Sequence, residues 1–309
     1  MGSWILFTVV AQFLNAVVSL VDKYILTSKR VTRPIVYAFY VGTFSIFSLA
    51  IFLFSWVPVP YDGLQIPSIS NLSWPTLGIV SYSMIAGFGF IIALATLFSA
   101  FMKADASDVV PVVGSVSAIS TLFFSFLFLE TSLTHNFILG FVILVVGTMV
   151  VSLFRFHWKT MLFSVISGLS FGIHYVAVKK LFIATHFDNA YLWLNLGIVL
   201  ASFVLLFLPH KNGPAHHEVK KTKFSSYILI FFKQIIASVS AFLLLKAIEF
   251  GDVSIVQALG GLQFVFLIIF AICNQYDKVF YCENCTPLQK FQKIIAIVII
   301  TVGFIVLFI

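Results

Sequence analysis

The sequence predicts an all-α integral membrane fold of ten transmembrane helices arranged as two inverted five-helix repeats, and three observations carry that expectation. The chain is 61% hydrophobic, 17% aromatic and 9% charged, with 37 phenylalanines in 309 residues, and its mean hydropathy is +1.10. No water-soluble domain hides that much apolar surface. Ten segments approach the ~20 apolar residues that a helix needs to cross a hydrocarbon core of about 30 Å. Finally, Lys103-Ala104-Asp105-Ala106-Ser107-Asp108-Val109-Val110 has a worn second copy at Glu249-Phe250-Gly251-Asp252-Val253-Ser254-Ile255-Val256, 146 positions later (249 − 103). In both copies a charged, turn-prone break separates two long apolar runs, and the likeness continues to Gly114 and Gly260.

The spans are expected near 3–25, 34–56, 75–98, 108–128, 135–154, 158–181, 189–209, 226–247, 252–272 and 289–308. The first lacks a basic leading region and a small-residue cleavage site before the turn at Thr27-Ser28-Lys29-Arg30, so it is expected to persist as a helix. Period-two alternation is absent from these runs, and in lipid the helix is the remaining way to satisfy every backbone polar group. Proline-rich connections follow the second span (Val57-Pro58-Val59-Pro60) and the seventh (Pro209 to Pro214). Asp22-Lys23-Tyr24 and Val178-Lys179-Lys180 close the first and sixth spans at an offset of 156 (179 − 23), an offset shared by Gly147 and Gly303 in the fifth and tenth. Two units follow, 1–155 and 156–309. Because five is odd, the second unit threads the membrane in the opposite direction, and halves related in this way can exchange roles so that one site opens first to one side and then to the other.

The break before the fourth span with Pro111 inside it, the Phe128-Leu129-Glu130 ending, the following Gly140 and Gly147, and the two-times-five arrangement together resemble the EamA family of the drug/metabolite transporter superfamily, over almost the whole chain. The resemblance implies a ten-helix basket that exports or exchanges small metabolites, amino acids or drugs through a central cavity lined by both halves. The second half departs from the pattern, with Gln257 where Pro111 stands and no glutamate matching Glu130, the nearest being Glu283.

Six residues are expected to line such a cavity. Lys233 lies seven residues into the eighth span, about 10 Å deep at 1.5 Å per residue, with Gln234 beside it. Such a charge faces a wet cavity or a partner, unless the side chain snorkels to the headgroups. His174 sits in the sixth span, as a proton-coupling group or as a hydrogen-bonded packing residue. Asn15 lies near mid-membrane in the first span and must find a partner across a helix interface or from a substrate. Asp22, seven residues on, shares its face, but beside Lys23 it reads as an interfacial acid, in water or paired locally. In the ninth span Gln257 and Gln263 flank Gly260-Gly261, a combination that suits a site lining or helix packing. Tyr37, Tyr40, Tyr82 and Asn195 are weaker candidates of the same kind.

Other chemistry finds little footing. Cys282-Glu283-Asn284-Cys285 supplies at most two zinc ligands with no second pair nearby, so it reads as a surface loop pair, and three cysteines in all make no disulfide framework. His216-His217 near Lys220, Lys221 and Lys223 reads as a solvated loop. There is no glycine-rich phosphate loop, nucleophile elbow or carboxylate pair with a placed base. Neither an enzyme nor an ATP-driven pump is expected, and no cofactor, metal or nucleic acid. The expected partners are a small-molecule substrate and the bilayer of the inner or plasma membrane, with monomer and homodimer both open. The expected function is secondary transport of a small organic metabolite, amino acid or drug-like molecule. The alternative is a lipid-linked substrate flippase or lipid-handling protein of the same fold.

Lys and Arg gather in connections after odd-numbered spans, at Lys29, Arg30, Arg33, Lys103, Arg155, Lys159, Lys211, Lys220, Lys221, Lys223 and Lys278. By the positive-inside rule these face the cytoplasm and both termini lie outside, whereas the resemblance implies the reverse. The charge bias predicts that in intact cells an impermeant maleimide labels a cysteine at Ser3 and spares one at Lys220. The opposite pattern overturns it.

Overall fold

The computed structural model describes residues 3–31, 33–57, 64–129, 135–150, 158–207 and 224–273, with single positions between 295 and 306. Ten α-helices run through these residues, with no strand among them: α1 Ser3–Thr27, α2 Pro34–Phe44, α3 Leu77–Phe101, α4 Ala106–Phe128, α5 His135–Val150, α6 Trp158–Ala184, α7 Phe187–Val204, α8 Phe224–Phe250, α9 Val253–Ala258 and α10 Gly261–Cys273. Eight continuous stretches are long and apolar enough to cross a membrane, and a shorter apolar helix covers Ile138–Gly147. Large apolar side chains such as Phe123, Phe126, Leu200 and Phe232 point outward, and Trp56, Trp74 and Trp158 stand exposed at span ends. A soluble protein does not cover itself this way, whereas lipid accepts the apolar faces and interfaces hold the indoles. This is an integral membrane protein. Most of the expected tenth span lies outside the described residues, as do Glu130, the 208–223 connection with His216 and His217, and Cys282 to Cys285.

Local chemistry explains where the helices begin, bend and stop. Pro34 opens α2 after an extended Arg33 (φ −120°, ψ 128°), where its fixed φ suits the first turn and its missing N–H is not needed. The Thr76 hydroxyl accepts from Ile79 N at the start of α3. At the end of α1, Arg30 N reaches Ile25 O and Lys29 N reaches Leu26 O. Lys29 takes φ 53° there, the left-handed turn that commonly ends helices.

Two expected spans are not continuous α-helices. The second tightens into a 3₁₀ segment over Ser45–Phe54. Within it the Ser45 hydroxyl donates to Gly42 O and the Ser48 hydroxyl to Ser45 O, both at 2.6 Å. Such back-bonding three residues upstream favours the narrower winding. The ninth span breaks between α9 and α10, where Gly260 N, Leu262 N and Gln263 N each bond a carbonyl three residues earlier. The two copies of the repeated break also differ slightly. Asp105 and Asp252 are the residues immediately before α4 and α9, so the helix starts are 147 apart (252 − 105), one more than the sequence register. On that spacing Pro111 matches Ala258, not Gln257, and Gly114 matches Gly261.

Helices of the first half interleave with those of the second. The most extensive contacts are α3 with α6 and α7, α4 with α6, and α1 with α8. The α3–α7 crossing brings backbones together at Gly87 and Gly197. A Cβ on Gly87 would lie 2.9 Å from Ile198 N, and one on Gly197 would lie 2.8 Å from the Ser83 carbonyl carbon. Only glycine permits that approach.

Lys23 and Lys179 make the same contact in the two halves. Lys23 Nζ donates to Phe101 O (2.5 Å) and Ala104 O (2.8 Å) at the end of α3. Lys179 Nζ donates to Ile248 O (2.7 Å), Glu249 O (3.1 Å) and Gly251 O (3.0 Å) at the end of α8. A cation satisfies the last carbonyls of a helix and opposes the negative end of its dipole. Lys23→Ala and Lys179→Ala are each expected to lower stability by about 1–3 kcal/mol, read as a falling midpoint of thermal unfolding in detergent. Unchanged midpoints would show that water replaces the ammonium.

Candidate functional site

A cavity of about 230 Å³ opens between the two halves, with walls from α1, α2 and its 3₁₀ extension, α3, α4, α6, α7, α8 and the broken α9–α10 span. Polar residues reach it on α1 at helical spacing, Gln12, Asn15, Ser19 and Asp22 all lying in the lining. Offsets of three, four and three residues keep them on one face.

The charged residues of the lining, among the described residues, are Asp22 and Lys233, and they form an ion pair of 2.9 Å with side chains only 7% and 2% exposed. The expectation for Asp22, an interfacial acid in water or paired locally, is overturned. Successive residues on a helix diverge by about 100°, so Lys23 turns to the end of α3 while Asp22 turns inward. Lys233 does not snorkel, because its ammonium is held by that carboxylate. Tyr37 secures both ends, its hydroxyl donating to Asp22 while Lys233 Nζ stands 5.5 Å from its ring centroid, a cation–π distance. Tyr37 is itself fully buried and packs on Phe98, centroids 4.5 Å apart.

All six residues expected at a cavity border this one, though they are engaged differently. Asn15 and Gln263 join helices: Ser240 Oγ donates to Asn15 Oδ1 (2.7 Å) and Ala11 O (2.8 Å), while Gln263 Nε2 donates to Ser19 Oγ (2.9 Å) and Asn15 O (3.2 Å). These bonds tie α1 to α8 and α10. His174 Nδ1 lies 2.8 Å from Ala86 O, which makes that nitrogen the protonated one. Its ring packs between Phe90 (5.1 Å) and Tyr175 (4.9 Å), the geometry of a packing histidine that joins α6 to α3.

Gln234 and Gln257 are different. Gln257 Nε2 and Gln234 Oε1 are buried with no hydrogen-bond partner among the described residues, as is the hydroxyl of Ser117, and all three residues border the cavity. Buried polar groups are nearly always satisfied, so these atoms stand out.

Of the weaker candidates, Asn195 accepts from Ser48 Oγ at 2.7 Å and lines the cavity. The hydroxyls of Tyr40 and Tyr227 meet at 3.0 Å between α2 and α8. Tyr82 lies outside the lining. Sequence reading passed over Gln12, Ser19, Ser117 and Tyr191, although the periodic stripe on α1 was a signal for the first two. Among the described residues no cluster of three His, Cys, Asp or Glu is placed to hold a metal ion.

Models of known protein families do not match this chain, and neither does any curated protein. Solved structures do, 27 chains in all. One, a crystal structure of a protein, superposes with TM-score 0.66 and 17% identity over 99% of this chain and 96% of its own. At that identity the likeness is one of fold, and it spans the whole molecule.

Proposed function

We propose that this protein is a secondary transporter that moves a small organic molecule across the cell membrane by alternating access, with the architecture of the EamA-like drug/metabolite carriers. The observation that carries this reading is the buried Asp22–Lys233 pair on the wall of a cavity, linking α1 of the first half to α8 of the second. Ionisable residues at such depth are costly in a membrane protein and mark pathways. The broken α9–α10 span beside the cavity supports the same reading, because discontinuous helices form the central sites of many carriers.

The inverted repeat over 1–155 and 156–309 is supported by the matched lysines, Lys23 on α3 and Lys179 on α8, and by the matched helix starts after Asp105 and Asp252. The halves are not in equivalent states. α3 meets α7 closely, whereas α8 and α2, their counterparts, touch far less. A carrier held with one gate packed and the other parted has this asymmetry, and exchanging the two packings exposes the cavity to the other side. Asn15, His174, Lys233 and Gln263 then hold the walls, while Gln234 and Gln257, which also border the cavity, are the residues assigned to the substrate.

Reconstitution in vesicles tests the reading. Uptake from a labelled metabolite mixture is expected to saturate, and Gln234→Ala and Gln257→Ala are each expected to slow it about tenfold, roughly 1.4 kcal/mol. Flux without saturation, or flux that ignores both substitutions, would refute it.

A further inference from the structure

Resting on the transporter reading of the cavity, we infer that the segment 68–73 is a latch that holds the α3–α7 gate shut and biases the resting carrier toward the state closed on that side. Among the described residues, five hydrogen bonds join this segment of the first half to the start of α7 in the second. Asp188 Oδ2 accepts from Ser68 N (3.1 Å) and from Asn71 Nδ2 (2.7 Å). Asn189 Oδ1 accepts from Ser73 N (3.1 Å) while its Nδ2 donates to Ser73 Oγ (3.0 Å), and Trp193 Nε1 donates to Ser73 O (3.4 Å). Asn189 is fully buried. With Thr185 Oγ1 (3.1 Å) and Trp193 Nε1 (3.2 Å) as further partners, its amide uses both donors and both acceptor positions. An exposed loop can satisfy its backbone with water, so N–H groups given instead to the opposite half tie the two halves together.

Position makes this strap part of the gate. It runs into α3, whose Gly87 meets Gly197 of α7 at the close crossing. One turn beyond Asp188, Tyr191 stands on the cavity wall. Its ring stacks with Phe187 at 5.8 Å and packs against Phe52 of the first half (6.1 Å) and Phe242 of the second (5.9 Å). Opening the cavity on this side parts α3 from α7 and draws the strap away from Asp188 and Asn189, so the closed state keeps the five bonds and the open state forgoes them. Contacts made in only one of two states shift the balance between them. The first turn of α2 lacks this chemistry. Matching the first residues of α2 and α7, Pro34 with Phe187, places Ile35 and Val36 where α7 has Asp188 and Asn189, and neither apolar side chain can accept a hydrogen bond. The latch is therefore one-sided.

Labelling by an impermeant maleimide tests the latch in the full-length protein with its three native cysteines changed to serine. A cysteine at Ile69, 59% exposed in the strap, identifies the strap side. A cysteine at Gly114, where nothing lies within 4 Å of a Cβ, reports access to the cavity, and intact cells and inside-out membrane vesicles present the two sides in turn. With the latch intact, the cysteine at Gly114 is expected to react about tenfold faster, or more, from the side opposite the strap. Asp188→Ala removes two of the bonds and is expected to raise the rate from the strap side about tenfold, and Asn71→Ala, which removes one bond at an exposed residue, about threefold. Ser81→Ala, whose hydroxyl donates to Leu77 O within α3, should leave both rates unchanged. A merely structural tie would lower the unfolding midpoint of Asp188→Ala and leave the rates as they were. That result, or a cysteine at Gly114 that reacts equally from both sides before the strap is altered, overturns the inference. Vesicle uptake separates it from the transport reading. Saturable uptake with labelling rates unmoved by Asp188→Ala removes the latch and keeps transport, whereas rates that shift in a protein moving no member of the labelled metabolite mixture do the reverse.

Discussion

Replacing Lys233 with methionine is expected to destabilise the protein by about 3–5 kcal/mol, the usual effect of removing one member of a buried ion pair. The carboxylate of Asp22 would remain, 5% exposed as a residue, with Tyr37 as its hydrogen-bond donor. Asp22→Asn should cost a similar amount by stranding the ammonium. The double variant Asp22→Asn/Lys233→Met is expected to recover most of the loss, because neither side chain then carries an unpaired charge, and replacing a whole buried pair is often neutral. Thermal unfolding of the three variants in one detergent forms the cycle, and a coupling below about 0.5 kcal/mol would mean that the pair is not the unit described here. The cycle also separates structure from activity. If the pair only holds α1 to α8, the stable double variant should still transport, while a loss of uptake in that variant places the charges on the pathway.

The second large effect is expected at the α3–α7 crossing. Gly197→Ala adds a methyl group whose ideal position is 2.8 Å from the Ser83 carbonyl carbon, and a backbone atom has no rotamer by which to withdraw. The helix-propensity gain over glycine is about 1 kcal/mol. Overpacking costs typically ~1–3 kcal/mol and occasionally more, and with backbone on the other side the upper part of that range should win. A net loss of about 2 kcal/mol is expected, with α3 pushed away from α7. Gly114→Ala provides the opposite sign. Nothing lies within 4 Å of a Cβ at Gly114, so the propensity gain should stand and the unfolding midpoint should rise, while the methyl group enters the cavity and slows transport. Equal losses at Gly197 and Gly114 would mean that the crossing is not closely packed.

The spans were legible because the bilayer imposes one length and one polarity on every crossing. Where the chain departs from a plain helix, small polar groups decided it. The hydroxyls of Ser45 and Ser48 bond back along the second span, and the break before Gly261 interrupts the ninth. Neither changes the hydropathy of its segment, so neither showed in the pattern. The one-residue difference between the repeat register and the spacing of Asp105 and Asp252 has a similar origin, since the break, and not the apolar run, sets where the helix starts.

The cavity residues divide along the same line. Lys233, Gln234, His174, Asn15, Gln257 and Gln263 could be named because each is polar within an apolar run, and all six border the cavity. Their partners could not be named. Sequence adjacency offered Lys23 to Asp22, but the helix turns the two side chains apart, and the true partner lies 211 residues away (233 − 22). The amides looked alike in sequence, yet Gln263 is committed to Ser19 and Asn15 while Gln234 and Gln257 each keep an atom without a partner among the described residues.

By itself, then, the sequence determined a helical membrane protein and the polar positions within its spans, because solvent and helix periodicity act locally on the chain. Only the tertiary structure decided which of those groups neutralise one another, which join helices and which are left without a partner among the described residues. Pairing depends on how α1, α8 and the broken span are brought together, and that arrangement follows from packing between distant segments, which no single segment encodes.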